Sequence, residues 1–180
     1  NLALAVGPAL DYVQIRDKEA DYILAADRVD VYYPDNVPEV VAHFKGSELV
    51  GKRYRPLFPY FETLADEGAF QVVAADYVST QEGTGIVHTA PGFGEDDAEC
   101  ARTYKLPMVC PVDAECRFTE EVADYAGRAV KDTDKDIIRR LKDEGKLVHQ
   151  ATYQHNYPHC WRCETPLIYR AVSTWFVNVE

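Results

Sequence analysis

No apolar run in the 180-residue sequence approaches the roughly 20 residues that a membrane-spanning helix needs. No basic segment leads into an apolar one, so nothing reads as a secretory leader. The segment Leu2-Ala3-Leu4-Ala5-Val6 is too short for either role and reads as a strand. Positive charge is scarce: 19 Lys and Arg stand against 30 Asp and Glu, a formal net charge of −11. Such a surface does not grip a long stretch of phosphate backbone, whereas the end of a nucleic acid needs few phosphates neutralised and stays a compatible partner. Five cysteines, an odd number, do not make a paired disulfide framework and point to a reducing compartment, with the cytoplasm expected. There is no internal repeat and no low-complexity linker.

What is present is an ordinary globular composition, 47% hydrophobic, long enough for one domain that buries about 70% of its unfolded surface. The chain is organised around residues 83–97, Gly-Thr-Gly-Ile-Val-His-Thr-Ala-Pro-Gly-Phe-Gly-Glu-Asp-Asp. Gly83 and Gly85 suit a turn closed to residues with a Cβ, and Ile86 and Val87 are β-branched, as a pleated segment prefers. In an extended segment, Ile86, His88 and Ala90 share one face while Val87 and Thr89 share the other. Pro91 ends the strand, and residues 95–105 read as a helix whose first turn carries Glu95, Asp96 and Asp97, where the helix dipole favours negative charge. One imidazole and one carboxylate are thereby expected to face each other across a glycine-lined cleft.

Before this stretch, residues 11–16 and 22–24 read as strands, 25–32 as a short helix ended by Pro34, 40–44 as extended, and 46–51 as a turn bracketed by glycines. Residues 70–78 read as a long strand feeding the Gly83 turn. After it, 108–112 is extended, and 132–144 is a helix capped by Asp132 or Thr133 with Ile137, Ile138 and Leu141 on one face. The pattern predicts a mixed α/β domain, a β-rich barrel-like core with peripheral helices, and not a regularly alternating doubly wound sheet. Residues 1–155 form the expected domain, and 156–180, rich in aromatics and cysteine, a return segment.

By spacing alone, His88 and Asp97 read either as a satisfied histidine and a helix-start charge or as a functional pair, with Asp96 a rival carboxylate. Cys160 and Cys163 form a Cys-x-x-Cys knuckle that suits two thiolates on one tetrahedral zinc, which is half of a four-ligand set. Cys100, Cys110 and Cys116 do not repeat that spacing, and plain structural cysteines or a redox pair remain the alternatives. Cys100 reads as a small core residue, Glu120, Glu121 and Asp124 as a solvated face, and His43, His149 and His155 as lacking partners at ligand spacing.

Residues 83–97 resemble the signature of the editing (CP1) domain inserted into isoleucyl-tRNA synthetases, and 44–58 and 157–176 resemble the same family in the same order. The resemblance implies hydrolysis of valyl-tRNA(Ile) in a pocket that excludes isoleucine. The acceptor is then the 3′ end of aminoacylated tRNA(Ile), with no membrane partner. It implies that Asp97 holds the α-ammonium group of the ester, that His88 shapes the pocket wall, and that Gly83, Thr84, Gly85 and Thr89 bind substrate. No cofactor is expected for editing. ATP and Mg would serve the parent's synthetic site, and a structural zinc would use Cys160 and Cys163 with a second pair elsewhere in the parent. Trp175 and Phe176 are expected to pack the return segment against the rest of the synthetase. The family's threonine-rich pocket wall is expected just before Asn1, so activity of the chain by itself is not implied. A valine-type editing domain and a non-catalytic β-rich module with a zinc knuckle are the competing readings.

Overall fold

The computed structural model describes residues 1–152, 156–175 and 177–179. The expectations placed on His155 and Phe176 fall outside these residues. The chain forms two compact units, one of residues 1–56, 61–91 and 95–108, the other of residues 57–60, 92–94 and 109–180.

In the first unit, the apolar, β-branched or alternating runs form six strands. Strand β1 (Ala3–Val6) lies between β5 (Gln71–Ala74), which is parallel to it, and β6 (Ile86–Thr89), which is antiparallel. Strand β2 (Asp11–Asp17) lies between β3 (Ala20–Ala25) and β4 (Glu39–Lys45), both antiparallel, with an irregularity at Gln14/Ile15. The mixed α/β class is as expected, but these strands make two open three-stranded sheets and not a closed barrel. Tyr12 ties the two sheets together: its buried hydroxyl accepts the Gly7 N–H at 3.0 Å and donates to the Gly85 carbonyl at 2.6 Å.

A short 3-10 turn (Ala26–Arg28) and helix α1 (Val29–Tyr32) follow β3, as the sequence suggests. Where a plain turn was expected, residues Gly46–Leu49 form helix α2, its first turn closed by the Lys45 N–H on the Glu48 carboxylate at 2.7 Å. A Cβ on Gly46 would sit 2.1 Å from the Gly7 carbonyl oxygen, so only glycine fits there. Strand β5 is shorter than the expected 70–78 run. Phe70 is left-handed (φ 62°) at its start, and the Val78 N–H turns back to the Ala75 carbonyl at its end. Helix α3 (Glu95–Tyr104) presses Cys100 and Ala101 onto Ala3, Ala5 and Val73, so Cys100 is the core residue the sequence suggests.

The second unit has one long helix, α4 (Val130–Asp143), which starts two residues earlier than expected. The residue preceding it is Ala129, which offers no capping side chain, and the Thr133 hydroxyl instead donates to the Val130 carbonyl at 2.7 Å. Gly145 (φ 66°) ends it with its N–H on the Lys142 carbonyl. The expected extended run at 108–112 amounts to a single bridge between Val112 and Phe118. Glu120, Glu121 and Asp124 are all exposed, as a solvated face would be, and Asp124 is in addition bound by the Tyr60 hydroxyl and by Arg140, each at 2.7 Å.

Candidate functional site

Strand β6 and the start of α3 carry the two residues of most interest. The register pairs His88 with Leu4 and Ile86 with Val6, while Val87 and Thr89 lie opposite Ala5 and Ala3. Helix α3 packs on the Ala3, Ala5 and Val87 side. His88 is therefore on the other face and exposed, and its side chain makes no hydrogen bond or ion pair among the described residues. Asp97 is half-buried and reaches back to the end of the strand, where its carboxylate accepts the Ala90 N–H at 3.0 Å. The facing imidazole and carboxylate expected from the sequence are not formed. Strand alternation separates His88 from the helix, and the carboxylate is tethered to backbone two residues further on.

Around Asp97 lies a set of groups that the motif alone does not reveal. Burial pushes the Cys100 thiol up from its ordinary value, and the field of Asp97 adds to this. The Tyr77 hydroxyl is also pushed up, first by burial. Thr89 is fully buried, and its hydroxyl makes no hydrogen bond of good geometry; its weak partner is Tyr77. A cavity of about 300 Å³ opens alongside, lined by Asp76, Tyr77, Asp96, Glu99, Cys100 and Tyr104 among others. Asp96, the rival carboxylate, lines it; Asp97 and His88 do not. Asn1 also belongs to this neighbourhood, since the Leu2 N–H next to it bonds the Thr89 carbonyl at 2.9 Å.

The two turn glycines serve different ends. Gly85 (φ 75°) lies so close to β3 that a Cβ would meet the Ala25 Cβ at 2.5 Å, so its openness is used by the fold itself. Gly83 (φ 60°) has nothing within 4 Å of its Cβ position, and its open side is free for a ligand. Thr84 is half-buried between them, its carbonyl accepting the Ala25 N–H at 2.8 Å.

The Cys160–Cys163 knuckle lies in the second unit. The Cys160 N–H donates to the Thr165 carbonyl at 2.9 Å and the Glu164 N–H to the Cys160 carbonyl at 2.8 Å, which folds the two thiols into one turn. The Cys163 sulfur and the Thr165 hydroxyl are 2.9 Å apart, and this bond, first among several, holds the thiol below its ordinary value. Among the described residues no three His, Cys, Asp or Glu side chains group to hold a metal. Also among the described residues, no helix is long and apolar enough to cross a membrane.

Over 99% of its length the chain is 52% identical to the isoleucine–tRNA ligase of Treponema denticola. Over its full length it is 50% identical to those of Chlamydia muridarum and Treponema pallidum. It spans about 18% of the length of these relatives. Among solved structures, the crystal structure of GlLeuRS-CP1 superposes with a TM-score of 0.63 at 15% identity, covering 85% of this chain and 79% of that one. No protein-family profile matches the chain.

Proposed function

The chain is homologous over its whole length to a segment of the isoleucine–tRNA ligases and has the fold of a synthetase CP1 domain, and from that premise we propose that it edits mischarged tRNA. The observation that carries this reading is the full-length identity of about half to isoleucine–tRNA ligases, combined with the CP1 fold. The substrate is valyl-tRNA(Ile) at its 3′ end, and the reaction is hydrolysis of the aminoacyl ester. Isoleucine and valine differ by one methylene, a difference of about 1–3 kcal/mol for which isoleucine-specific synthetases are the standard illustration. A second pocket that admits valine and excludes isoleucine supplies the missing discrimination.

Asp97 anchors the α-ammonium group through a charge-assisted hydrogen bond. Its tether to the Ala90 N–H fixes the carboxylate while leaving lone pairs for the substrate. Its place in the first turn of α3 stabilises its negative charge. A water then attacks the ester carbonyl, hydrogen-bond donors steady the oxyanion, and the ribose oxygen leaves with a proton, giving free valine and uncharged tRNA. His88, on the outer face of β6, acts at the rim of the pocket, bounding it rather than contacting Asp97. Of the substrate-binding residues Gly83, Thr84, Gly85 and Thr89, Gly83 gives the terminal nucleoside its closest approach through its open side, and the buried Gly85 and Thr89 back the wall from behind.

Residues 1–155 are the editing insert and 156–180 the segment that returns to the synthetase body. There, Cys160 and Cys163 contribute two thiolates to a structural zinc completed elsewhere in the parent. ATP and Mg belong to the parent's synthetic site, and the parent works in the cytoplasm. The test is single-turnover deacylation of valyl-tRNA(Ile) by the full-length ligase. Asp97→Ala is expected to slow it by about 10- to 100-fold, the worth of a hydrogen bond to a charged group, with isoleucylation retained. Deacylation at the wild-type rate in that variant overturns the assignment.

A further inference from the structure

The loop that leads into β6 is held by contacts to the carbonyl groups of residues 80, 81, 83, 84 and 85. Arg28 places Nε 2.7 Å from the Gly83 oxygen and Nη1 3.1 Å from the Gln81 oxygen, with a longer approach of 3.4 Å to Thr80. The Thr84 carbonyl takes the Ala25 N–H at 2.8 Å, and the Gly85 carbonyl takes the Tyr12 hydroxyl at 2.6 Å. Three consecutive carbonyls, 83 to 85, are thus committed to the second sheet and its following turn. The N–H groups of Gly83 and Thr84 make no hydrogen bond among the described residues, and beside them the Cβ position of Gly83 is open. Of the three contacts to carbonyls 83–85, only Arg28 also reaches back to residues 80 and 81, joining the tip of the loop to its base. A guanidinium does this with fixed, planar donors; an ammonium at the same place is a point charge on a flexible stem.

We propose that Arg28 is a positioning residue for substrate binding in the editing reaction, its fork clamping residues 80–83 so that the open side of Gly83 and the free N–H groups meet the terminal nucleoside. This rests on the editing reading above. The hydrogen bonds of the Arg28 side chain go to loop carbonyls and not to Asp97, so its loss is expected to disturb binding and not the reacting bond.

The test uses the full-length ligase and valyl-tRNA(Ile), with single-turnover deacylation measured against enzyme concentration, isoleucylation in parallel, and thermal unfolding as a check on folding. Arg28→Ala is expected to raise the half-saturating concentration about 10-fold through misplacement of the loop. Its maximal rate of hydrolysis stays within about threefold of wild type and isoleucylation is unchanged, while Arg28→Lys falls between the two. Half-saturation at the wild-type value in Arg28→Ala overturns the inference, and so does a fall confined to the maximal rate. Should Arg28→Ala fail to fold, Arg28→Lys carries the test, and a wild-type half-saturation there overturns it. A wild-type ligase that does not deacylate valyl-tRNA(Ile) overturns the editing reading itself. An active wild type with an unaltered Arg28→Ala counts against Arg28 alone.

Discussion

The two compact units are held by different kinds of interaction. The first rests on two sheets with buried apolar faces: Ala3, Ala5 and Val73 under α3, Val6, Tyr12 and Ala25 between the sheets, and Val13, Ile15 and Leu24 under α1. Backbone there comes so close that Gly46 and Gly85 leave no room for a methyl group. The second has no named strand among its described residues and gathers instead around Arg140. That guanidinium bonds Asp124 at 2.7 Å and Glu144 at 2.8 Å and lies 4.9 Å from the Phe58 ring centroid. Its trailing segment is mostly exposed, with Trp161 at 84% and Trp175 at 97% accessibility. Close packing fixes the position of catalytic groups better than exposed ion pairs do, and the candidate editing residues all lie in the first unit.

Small substitutions at glycine sharpen this contrast most. Gly46→Ala and Gly85→Ala are each expected to destabilise the first unit by about 3 kcal/mol, the upper range for overpacking. Gly127→Ala in the second unit, where φ is 74° but nothing lies within 4 Å, is expected to cost about 1 kcal/mol of backbone strain. Denaturant unfolding measures all three, and equal effects would erase the distinction. Next in size is Arg140→Ala, expected to lower the melting temperature of the second unit, less so in 1 M salt. Asp124 is held below the usual carboxylate range by Tyr60 and then Arg140, and Glu144 by Lys146 and then Arg140. A depressed carboxylate adds stability above its unfolded value and loses it as pH falls through the folded one. Acid titration of wild type should therefore show a loss below about pH 4 that is smaller in Arg140→Ala.

The smallest effects come from two tyrosines of similar titration and opposite consequence. Burial pushes Tyr54 to about 12, and its enclosed hydroxyl has no hydrogen-bond partner among the described residues. Burial also pushes Tyr60 to about 12, but its hydroxyl is bonded to Asp124. Tyr54→Phe is expected to stabilise the protein by about 1 kcal/mol, and Tyr60→Phe to destabilise it by a similar amount. A raised phenol keeps its contribution below its unfolded value near 10 and loses it as pH climbs to about 12. The alkaline loss of stability should shrink in Tyr54→Phe, and chemical denaturation at pH 9 and 11 would detect it.

Local patterns were legible and distant pairings were not. Alternation and β-branching located β2, β3, β4 and β6, and the acidic start of residues 95–105 located α3. Alternation also placed Ile86 and His88 on one face, but it cannot say which face a helix will cover. That depends on α3 folding back onto Ala3 and Ala5, some 95 residues away in sequence. The parallel pairing of β1 with β5 is equally non-local, so the sequence suggested a barrel where two open sheets form. Helix α2 was hidden because its glycine reads as a turn signal, although the position excludes any Cβ. The Arg28 clamp leaves no signature either, since one arginine 55 residues from Gly83 has no motif.

Two esters that differ by one methylene test the size-excluding pocket most directly. The full-length ligase should hydrolyse valyl-tRNA(Ile) while leaving isoleucyl-tRNA(Ile) intact, by a ratio of at least about 10, the low end of what one methylene is worth. Hydrolysis of both esters at the same rate would contradict a pocket that works by excluding the larger side chain.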